Sequence, residues 1–168
     1  MNAKMSAAES RAVEGPPKQK QWTESQDVAL GLWIALARCY ATFTKAVAAK
    51  VQEYDLTVPQ FGALEALYHL GPLSLGDLAD KLLVTGGNVT FVMDRLEAQG
   101  LVARYRSETD RRVVLARLTD EGRGLVARVF PEHAAFIEQL CRHLQPEERA
   151  ELRRLLKQLG KGIAASDL

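Results

Sequence analysis

The densest chemical feature of the sequence is a group of arginines in the stretch 101–117, which contains no lysine. Five arginines stand there against two acids, although the whole chain has a formal net charge of only +1. They are Arg104, Arg106, Arg111, Arg112 and Arg117. A guanidinium makes planar, multidentate contacts with phosphate groups and base edges, so this stretch is a candidate nucleic-acid contact. A solvated hairpin carries the same charges without a partner, and composition alone leaves both interpretations open.

Small and hydrogen-bonding residues open a helix that is predicted to begin at Thr85. The major groove of DNA, about 12 Å wide, admits one α-helix, and residues near the helix N-terminus read the base edges. The candidates are Thr85, Gly86, Gly87, Asn88 and Thr90. Asn88 suits adenine, the hydroxyls suit bases or phosphate, and the glycines either admit a phosphate to the backbone or only loosen a turn. Arg95 lies on the same face as Asn88 and suits guanine or phosphate, unless it pairs with Asp94.

The polar segment between two predicted strands places two arginines beside an acid. Arg111 and Arg112 follow Asp110 at the predicted tip. A minor groove about 6 Å wide accepts an arginine side chain, which gains from the negative potential there. We expect Asp110 to hold one guanidinium in a fixed fork, so that it is ordered before it meets DNA. The alternative is a local surface salt bridge worth less than about 1 kcal/mol.

The sequence contains no pattern that is typical of enzymatic, metal-binding or membrane functions. The sequence has no glycine-rich phosphate loop, nucleophile motif or metal-ligand spacing, and its three histidines are scattered. No run approaches about 18 apolar residues, and the first residues do not form a secretory signal. Cys39 and Cys141 fit no disulfide framework. We therefore expect a non-enzymatic, cytoplasmic protein that needs no cofactor and no metal.

The elements that would position these residues are mostly helical. Residues 1–22 lack apolar periodicity and are predicted to be a flexible tail. Apolar residues at spacings of three and four then predict a helix over about 24–54 with two stripes. The stripes are Val28, Leu32, Leu36, Cys39, Phe43, Val47 and Val51, and Trp33, Ala37 and Tyr40. Such a helix is roughly 46 Å long, so we expect its second stripe to be covered by another copy of the chain.

Within about 56–118 the pattern predicts a winged helix-turn-helix. A capping box that begins at Ser74 opens a short helix, a tight turn follows, and a longer helix ends at Gly100. Branched residues then predict two strands joined by a polar turn. The strands and the turn are predicted at 101–106, 113–118 and 107–112. Two more helices follow, from Thr119 and from Pro146, so the predicted fold is mainly α with a small two-stranded β wing.

Several short motifs, taken in this order along the chain, resemble the MarR family of bacterial transcriptional regulators. They are Leu75-x2-Leu78-Ala79, Asn88-Val89-Thr90, Asp94-Arg95-Leu96-Glu97, Gly100-Leu101-Val102, Asp110-Arg111-Arg112 and Leu118-Thr119-Asp120-Glu121-Gly122. The resemblance covers about 24–163 and implies a MarR-type domain over 23–168. It implies a homodimer held by long helices at about 24–54 and 119–165. It also implies a palindromic DNA operator, with the Thr85 helix in the major groove and the wing in the minor groove.

The resemblance also assigns positions of this chain to DNA. Asn88, Thr90 and Arg95 fall on base- or backbone-reading positions, and Arg112 falls on the minor-groove arginine. Gly86 stands where many members carry a hydroxyl, which puts one side-chain contact in doubt. The complete set of predicted DNA-binding residues is Ser74, Thr85, Gly86, Gly87, Asn88, Thr90, Arg95, Arg106, Asp110, Arg111 and Arg112.

Many members of the family release DNA when a small phenolic or aromatic compound binds between the dimer helices and the winged helix. Candidates for such a site are Trp33, Tyr40, Tyr68 and His69, which would otherwise be plain core. The segments 130–133 and 155–161 resemble the branch that responds to catechols and quinones. Other members sense oxidants through a cysteine in the first helix, where this chain has Cys39. A cysteine within an apolar stripe is more often a small buried hydrophobe.

The predicted function is that of a dimeric, sequence-specific repressor, released from a promoter operator by a small aromatic ligand. The predicted partners are double-stranded DNA, a second copy of the chain and a small aromatic effector. Two alternatives stay open. One is a winged-helix module for protein–protein contact, which the acidic stretch 53–100 suits, and the other is a redox-sensing regulator that uses Cys39.

Overall fold

The computed structural model describes residues 21–82 and 86–166. Contacts within the chain define two compact units, divided inside the first helix between Cys39 and Tyr40. The helices are α1 (Glu24–Gln52), α2 (Val58–Leu70), α3 (Leu75–Leu82), α4 (Gly86–Ala98), α5 (Asp120–Leu140) and α6 (Pro146–Ala164). The strands are β1 (Leu73–Ser74), β2 (Val102–Arg106) and β3 (Val114–Leu118). None of the described helices is both long and apolar enough to cross a lipid bilayer.

The first half of α1 leaves its apolar stripe exposed. A capping box begins α1: the Thr23 N–H donates to Gln26 Oε1 at 2.8 Å, and the Gln26 N–H donates to Thr23 Oγ1 at 3.2 Å. Val28 and Trp33 are 70% and 64% exposed. Cys39 is exposed as well, so its expected burial is wrong for the single chain. The physical reason is that a lone helix has no second surface with which to bury a residue on its own stripe.

The core of the second unit lies between α2, α3, α4, α5 and the sheet. Thr57 begins α2 with a capping box, in which its N–H donates to Gln60 Oε1 at 2.8 Å. Pro59 occupies the first turn, where a missing N–H costs nothing. The largest fully buried side chains are Leu64, Leu67, Leu78, Met93, Leu96, Val51, Val89, Val102 and Val126. Because α2 packs against α3, α4 and α5, it is the central helix that fixes the helix-turn-helix.

The sheet has three antiparallel strands in the order β1-β3-β2. Val102 pairs with Leu118 across the wing, and Leu73 of β1 pairs with Ala116. The predicted fold, mainly α with a small β wing, is confirmed. The sequence did not predict β1, because two residues are too few to show the alternation of a strand.

The first turn of α5 lies directly against the residue that precedes the wing. The Thr119 N–H donates to the Leu101 carbonyl oxygen at 3.1 Å, and Thr119 Oγ1 donates to the Gly100 carbonyl oxygen at 2.7 Å. Gly122 is buried against the same backbone. A methyl group on its Cα would collide with the Leu101 carbonyl oxygen and lie 2.9 Å from the carbonyl carbon. Only glycine leaves room for this contact, which joins the wing to α5.

α6, the last helix described, has an exposed apolar side. α5 continues through Pro131 to Leu140, and a 3-10 turn leads into α6. None of the residues of α6 is buried. Its exposed apolar side chains share one side of the helix; they are Leu152, Leu155, Leu156, Leu159 and Ile163.

We expect Gly122→Ala to destabilise the fold by about 2–3 kcal/mol, because the Leu101 backbone cannot move aside as a flexible side chain does. Gly124→Ala is the matched control on the same helix, since no atom lies within 4 Å of a methyl group there. Alanine should stabilise that position by roughly 0.5–1 kcal/mol. Chemical denaturation at one fixed protein concentration measures both variants. Equal stability of the two would contradict the close approach.

Candidate nucleic-acid interface

α4 presents one side to the core and the other side to solvent. The inward residues are all buried; they are Val89, Val92, Met93 and Leu96. On the other sides of the helix Asn88, Thr90 and Arg95 are exposed. The helix therefore offers a polar surface where the sequence predicted one. Thr85, the first residue of this helix that was predicted to contact DNA, lies outside the described residues.

The first turn of α4 carries no bulky side chain. Gly86 and Gly87 are exposed, and a methyl group on either would meet no atom within 4 Å. Packing of the fold therefore does not require these glycines, and a helix N-terminus without side chains admits a phosphate close to its N–H groups. Thr90 Oγ1 donates to the Gly86 carbonyl oxygen at 3.1 Å, so the hydroxyl proton is used inside the helix and its oxygen stays available as an acceptor.

Arg95 has a partner that sequence reasoning missed. Its guanidinium carbon lies 5.2 Å from the centre of the Phe91 ring, a cation–π contact between neighbours one turn apart. Asp94, its expected alternative partner, pairs instead with Arg104 at 2.7 Å. Phe91 is 57% exposed. A signal was available in the sequence, since an apolar residue outside the buried periodicity of an amphipathic helix must face solvent.

Arg104, on β2, joins the wing to α4. Its Nε and Nη2 donate to Glu97 Oε2 at 3.0 and 2.6 Å, and Nη2 lies 2.7 Å from Asp94 Oδ1. The hydrogen bonds from Arg104 hold the pKa of Glu97 below its ordinary value, and the bonds to Glu97 raise the pKa of Arg104. The pair is therefore intact at neutral pH and is lost only as the pH falls through the lowered pKa of Glu97. Arg104 orients the wing and is not part of the outward basic surface.

At the tip of the wing Asp110 holds Arg112 in a fork. Arg112 Nε donates to Oδ1 at 3.2 Å, Nη2 donates to Oδ2 at 3.3 Å, and the backbone N–H donates to Oδ1 at 3.0 Å. These hydrogen bonds lower the pKa of the Asp110 carboxyl, so it stays charged at neutral pH. The Arg112 side chain is nevertheless 92% exposed. Its guanidinium is ordered and still accessible to a partner.

Ser74 and Arg106, which the sequence predicted to bind DNA, make hydrogen bonds within the chain. Ser74 Oγ donates to Asp77 Oδ2 at 2.7 Å and accepts from the Asp77 N–H at 3.0 Å, so that it begins α3 as the predicted cap. Arg106 Nη1 donates to the Arg111 carbonyl oxygen at 2.6 Å and closes the turn of the wing. Arg111 itself is exposed beside Arg112.

Two of the predicted effector residues lie together on α2. The rings of Tyr68 and His69 are 5.2 Å apart, and His69 meets Phe130 of α5 edge to face at 4.7 Å. The guanidinium carbon of Arg123 lies 5.6 Å from the centre of the Tyr68 ring. These contacts place aromatic rings and one cation on neighbouring parts of α2 and α5.

A groove of about 450 Å³ opens beside His69 and is also lined by Lys81 and Leu82 of α3. Its volume lies within the range of small-molecule sites, roughly 300–1,000 Å³. Of the four predicted effector residues, only His69 is among the described residues that line this groove. Trp33 and Tyr40 are exposed on α1.

His133, which belongs to the segment resembling the catechol- and quinone-responsive branch, is a core residue. It is buried, and its ring centre lies 4.5 Å from that of Phe61. Burial lowers the pKa of His133, so it is neutral at physiological pH. Among the residues that the structure describes, no three His, Cys, Asp or Glu side chains gather closely enough to hold a metal ion.

Comparison with known proteins relates these features to one family. The model of the MarR family matches residues 56–114, from the start of α2 to the start of β3. The HTH-type transcriptional regulator MhqR of Bacillus subtilis is 37% identical over 131 residues, which cover 78% of this chain and 90% of MhqR.

Solved structures share the fold. Bordetella bronchiseptica BpsR, described through the regulation of its DNA binding by 6-hydroxynicotinic acid, is 30% identical with a TM-score of 0.71, over 77% of this chain and 98% of BpsR. A MarR family regulator of Streptomyces coelicolor, solved in complex with DNA, has a TM-score of 0.77 at 22% identity, over 89% of this chain and 95% of that protein. At that identity the likeness concerns the fold alone. From the family match and the identity to MhqR, this chain belongs to the MarR family of DNA-binding transcriptional regulators, a non-enzymatic family.

Proposed function

We propose that this chain is a dimeric repressor that binds a palindromic promoter operator and leaves it when a small aromatic compound binds. In each half-site α4 lies in the major groove, and the tip of the wing reaches the adjacent minor groove. The observation that carries the proposal is the pairing of two features: an exposed polar surface on α4 and, on the wing, an Arg112 that is hydrogen-bonded to Asp110 and 92% exposed.

The polar side chains of α4 match the edges of base pairs in the major groove. An asparagine forms two hydrogen bonds with adenine, and an arginine forms two with guanine. Asn88 and Arg95 are two helical turns apart, about 10 Å at 1.5 Å per residue. That distance corresponds to about three base steps of 3.4 Å. The Gly86–Gly87 turn is suited to a backbone phosphate, because no atom of the described residues lies within 4 Å of a methyl group on either glycine.

The wing supplies the minor-groove contact. An arginine gains from the negative potential of a narrow minor groove, and one that is already ordered loses less conformational entropy on binding. Asp110 provides that order, because it fixes the Arg112 guanidinium from one side. Arg111 adds a second exposed cation next to it.

We expect Arg112→Ala to weaken operator binding by about 1–3 kcal/mol. Thermal stability should hardly change, because the side chain is almost fully exposed. Fluorescence anisotropy with a duplex found by footprinting the region upstream of the protein's own gene measures the affinity. Operator binding equal to that of the unmodified protein would exclude the wing contact.

Arg154→Ala is the matched control, since Glu151 holds Arg154 on α6 at 2.8 Å and the substitution removes the same charge. Its operator affinity should be unchanged. The affinity of the unmodified protein should fall steeply with salt, as phosphate binding releases counterions. An affinity that responds neither to salt nor to Arg112→Ala would instead support a winged-helix module for protein–protein contact.

The proposed dimer rests on apolar surfaces that the single chain leaves uncovered. The apolar side of α6 and the stripe of the first half of α1 are both exposed. Exposed apolar surfaces of this kind are typical of protein interfaces. Two-fold symmetry then sets two reading helices about 34 Å apart, one turn of DNA, which a palindromic operator requires.

We expect Leu159→Glu to yield a monomer and to lower operator affinity at least tenfold, because a carboxylate is costly in an apolar interface. Gln158→Glu adds the same carboxylate one residue away, off the apolar side of α6, and should remain a dimer. Light scattering at the concentrations used for DNA binding gives the mass of each variant. A Leu159→Glu protein with the mass of two chains and normal affinity would refute this interface.

The groove between α2 and α3 is the proposed effector site. It combines the His69 ring, the apolar side chain of Leu82, the ammonium of Lys81 and the carboxylate of Glu65. This set offers an apolar surface to an aromatic ring, a cation to a carboxylate and an acceptor to a hydroxyl group, as a hydroxylated aromatic carboxylate requires. The related BpsR is regulated by such a compound, 6-hydroxynicotinic acid. Lys81 and Leu82 end α3 shortly before α4 begins at Gly86. A compound bound there is therefore expected to favour a different angle between the two helices and to release DNA.

We expect at least one compound from a panel of hydroxybenzoates, hydroxynicotinates and catechols to lower operator affinity tenfold or more. Lys81→Gln should require about tenfold more of a carboxylate compound, because it removes the partner of the carboxylate, and should bind the operator normally without it. Lys45→Gln removes an exposed lysine of α1 that does not line the groove and should respond as the unmodified protein does. Identical release curves for all three proteins would rule out the groove.

A further inference from the structure

We propose that Phe91 is a specificity-determining residue that contacts the 5-methyl group of one thymine in each half-site. The inference rests on the proposed function, in which α4 lies in the major groove. It goes beyond that function because it assigns the recognition of one base to an apolar side chain. The observation behind it is an exposed ring in the middle of the helix face that would meet DNA.

Phe91 lies on the side of α4 that faces away from the core. The core side is formed by Val89, Val92, Met93 and Leu96, and a helix of 3.6 residues per turn places Phe91 almost opposite them. Its neighbours along this outward line are Gly87 and Ala98, which have small side chains or none. Asp94, the remaining residue on the line, is drawn to Arg104 of the wing. The ring is therefore the most prominent feature of this line.

The fold does not account for the ring. Phe91 is 57% exposed and is absent from the hydrophobic core of the described residues. A single exposed apolar residue is ordinary on a protein surface, so exposure alone does not indicate a function. Here, however, the ring lies between Asn88 and Arg95, on a surface that must lose its water when the helix enters a groove.

Arg95 gives the ring a defined environment. Its guanidinium carbon lies 5.2 Å from the centre of the ring, so the cation covers one side of the phenyl group and restrains it. More than half of the residue, 57%, is exposed to solvent. A base that meets this surface contacts carbon and hydrogen only, next to a cation suited to a guanine or a phosphate.

Thymine is the base that this surface matches. It is the only base that presents a methyl group in the major groove, and phenylalanine is among the side chains that contact it. A purine would place hydrogen-bond donors or acceptors against the ring without a partner, and such desolvation is costly. Cytosine has only a hydrogen atom where thymine has its methyl group, so it buries less apolar surface. Phe91 is thus expected to favour thymine over the three other bases.

In the test, thymidine is replaced by deoxyuridine, which lacks only the 5-methyl group. The duplex is one that the protein selects from random-sequence DNA. Each thymine position is changed in both half-sites, one position at a time. At one position we expect the affinity to fall about fourfold per methyl group and about fifteenfold for the pair, the effect of burying a group of this size. Phe91→Ala should bind the thymine and deoxyuridine duplexes equally, and Phe91→Leu should keep part of the difference.

Val58→Ala is the control, because Val58 is also an exposed apolar residue, at 39%, but lies on α2 outside the proposed effector groove. It should keep the full response to the methyl group. The proposal is overturned if no thymine position responds, if the selected half-sites contain no thymine, or if Phe91→Ala responds as strongly as the unmodified protein. Selection of no preferred sequence at all would refute the proposed function itself, which separates that failure from failure of the Phe91 contact.

Discussion

α4 and the wing keep a common geometry because Arg104 binds one to the other. The guanidinium extends from β2 to two carboxylates of α4, Glu97 and Asp94, at 2.6–3.0 Å. Exposed ion pairs usually contribute little to stability, but a multidentate arginine fixes orientation as well as distance. In addition, Thr119 and Gly122 contact Leu101, and these contacts hold the start of the wing to α5. The spacing between the outward surface of α4 and the tip of the wing depends on these two attachments.

Carboxylates in this chain organise the basic surface without cancelling it. Asp94 and Glu97 hold the arginine that builds the scaffold, and Asp110 holds an arginine that remains exposed. A DNA-binding surface therefore does not need a strongly basic chain. It needs a few guanidinium groups whose positions are set in advance, because ordering them during binding would cost conformational entropy. The net charge of +1 is compatible with that arrangement.

The surfaces that the single chain leaves uncovered are those on which the proposed regulation depends. An apolar α6 and an apolar first half of α1 are consistent with an assembly that completes their burial. The groove beside His69 borders α3, the helix that comes directly before α4 in the chain. A compound there would act through the angle between two short helices, which α2 holds in place by packing.

Much of the architecture was predictable because its causes are local in the sequence. The capping boxes at Thr23 and Thr57, the helical periodicities and the branched strands of the wing each follow from residues a few positions apart. The fork of Asp110 and Arg112 was predictable for the same reason, while the DNA contacts assigned to it and to α4 stay predictions.

Contacts between distant residues were beyond the reach of sequence patterns. The pairing of Arg104 with Asp94, the two-residue strand β1 and the approach of Gly122 to Leu101 join elements whose separation in space no local pattern encodes. Burial of Cys39 was misjudged because periodicity identifies an apolar stripe and not what covers it. Local hydrogen bonding and periodicity thus determined the elements of this protein. The surfaces that these elements cover and expose were decided by packing between elements, which depends on all of them at once.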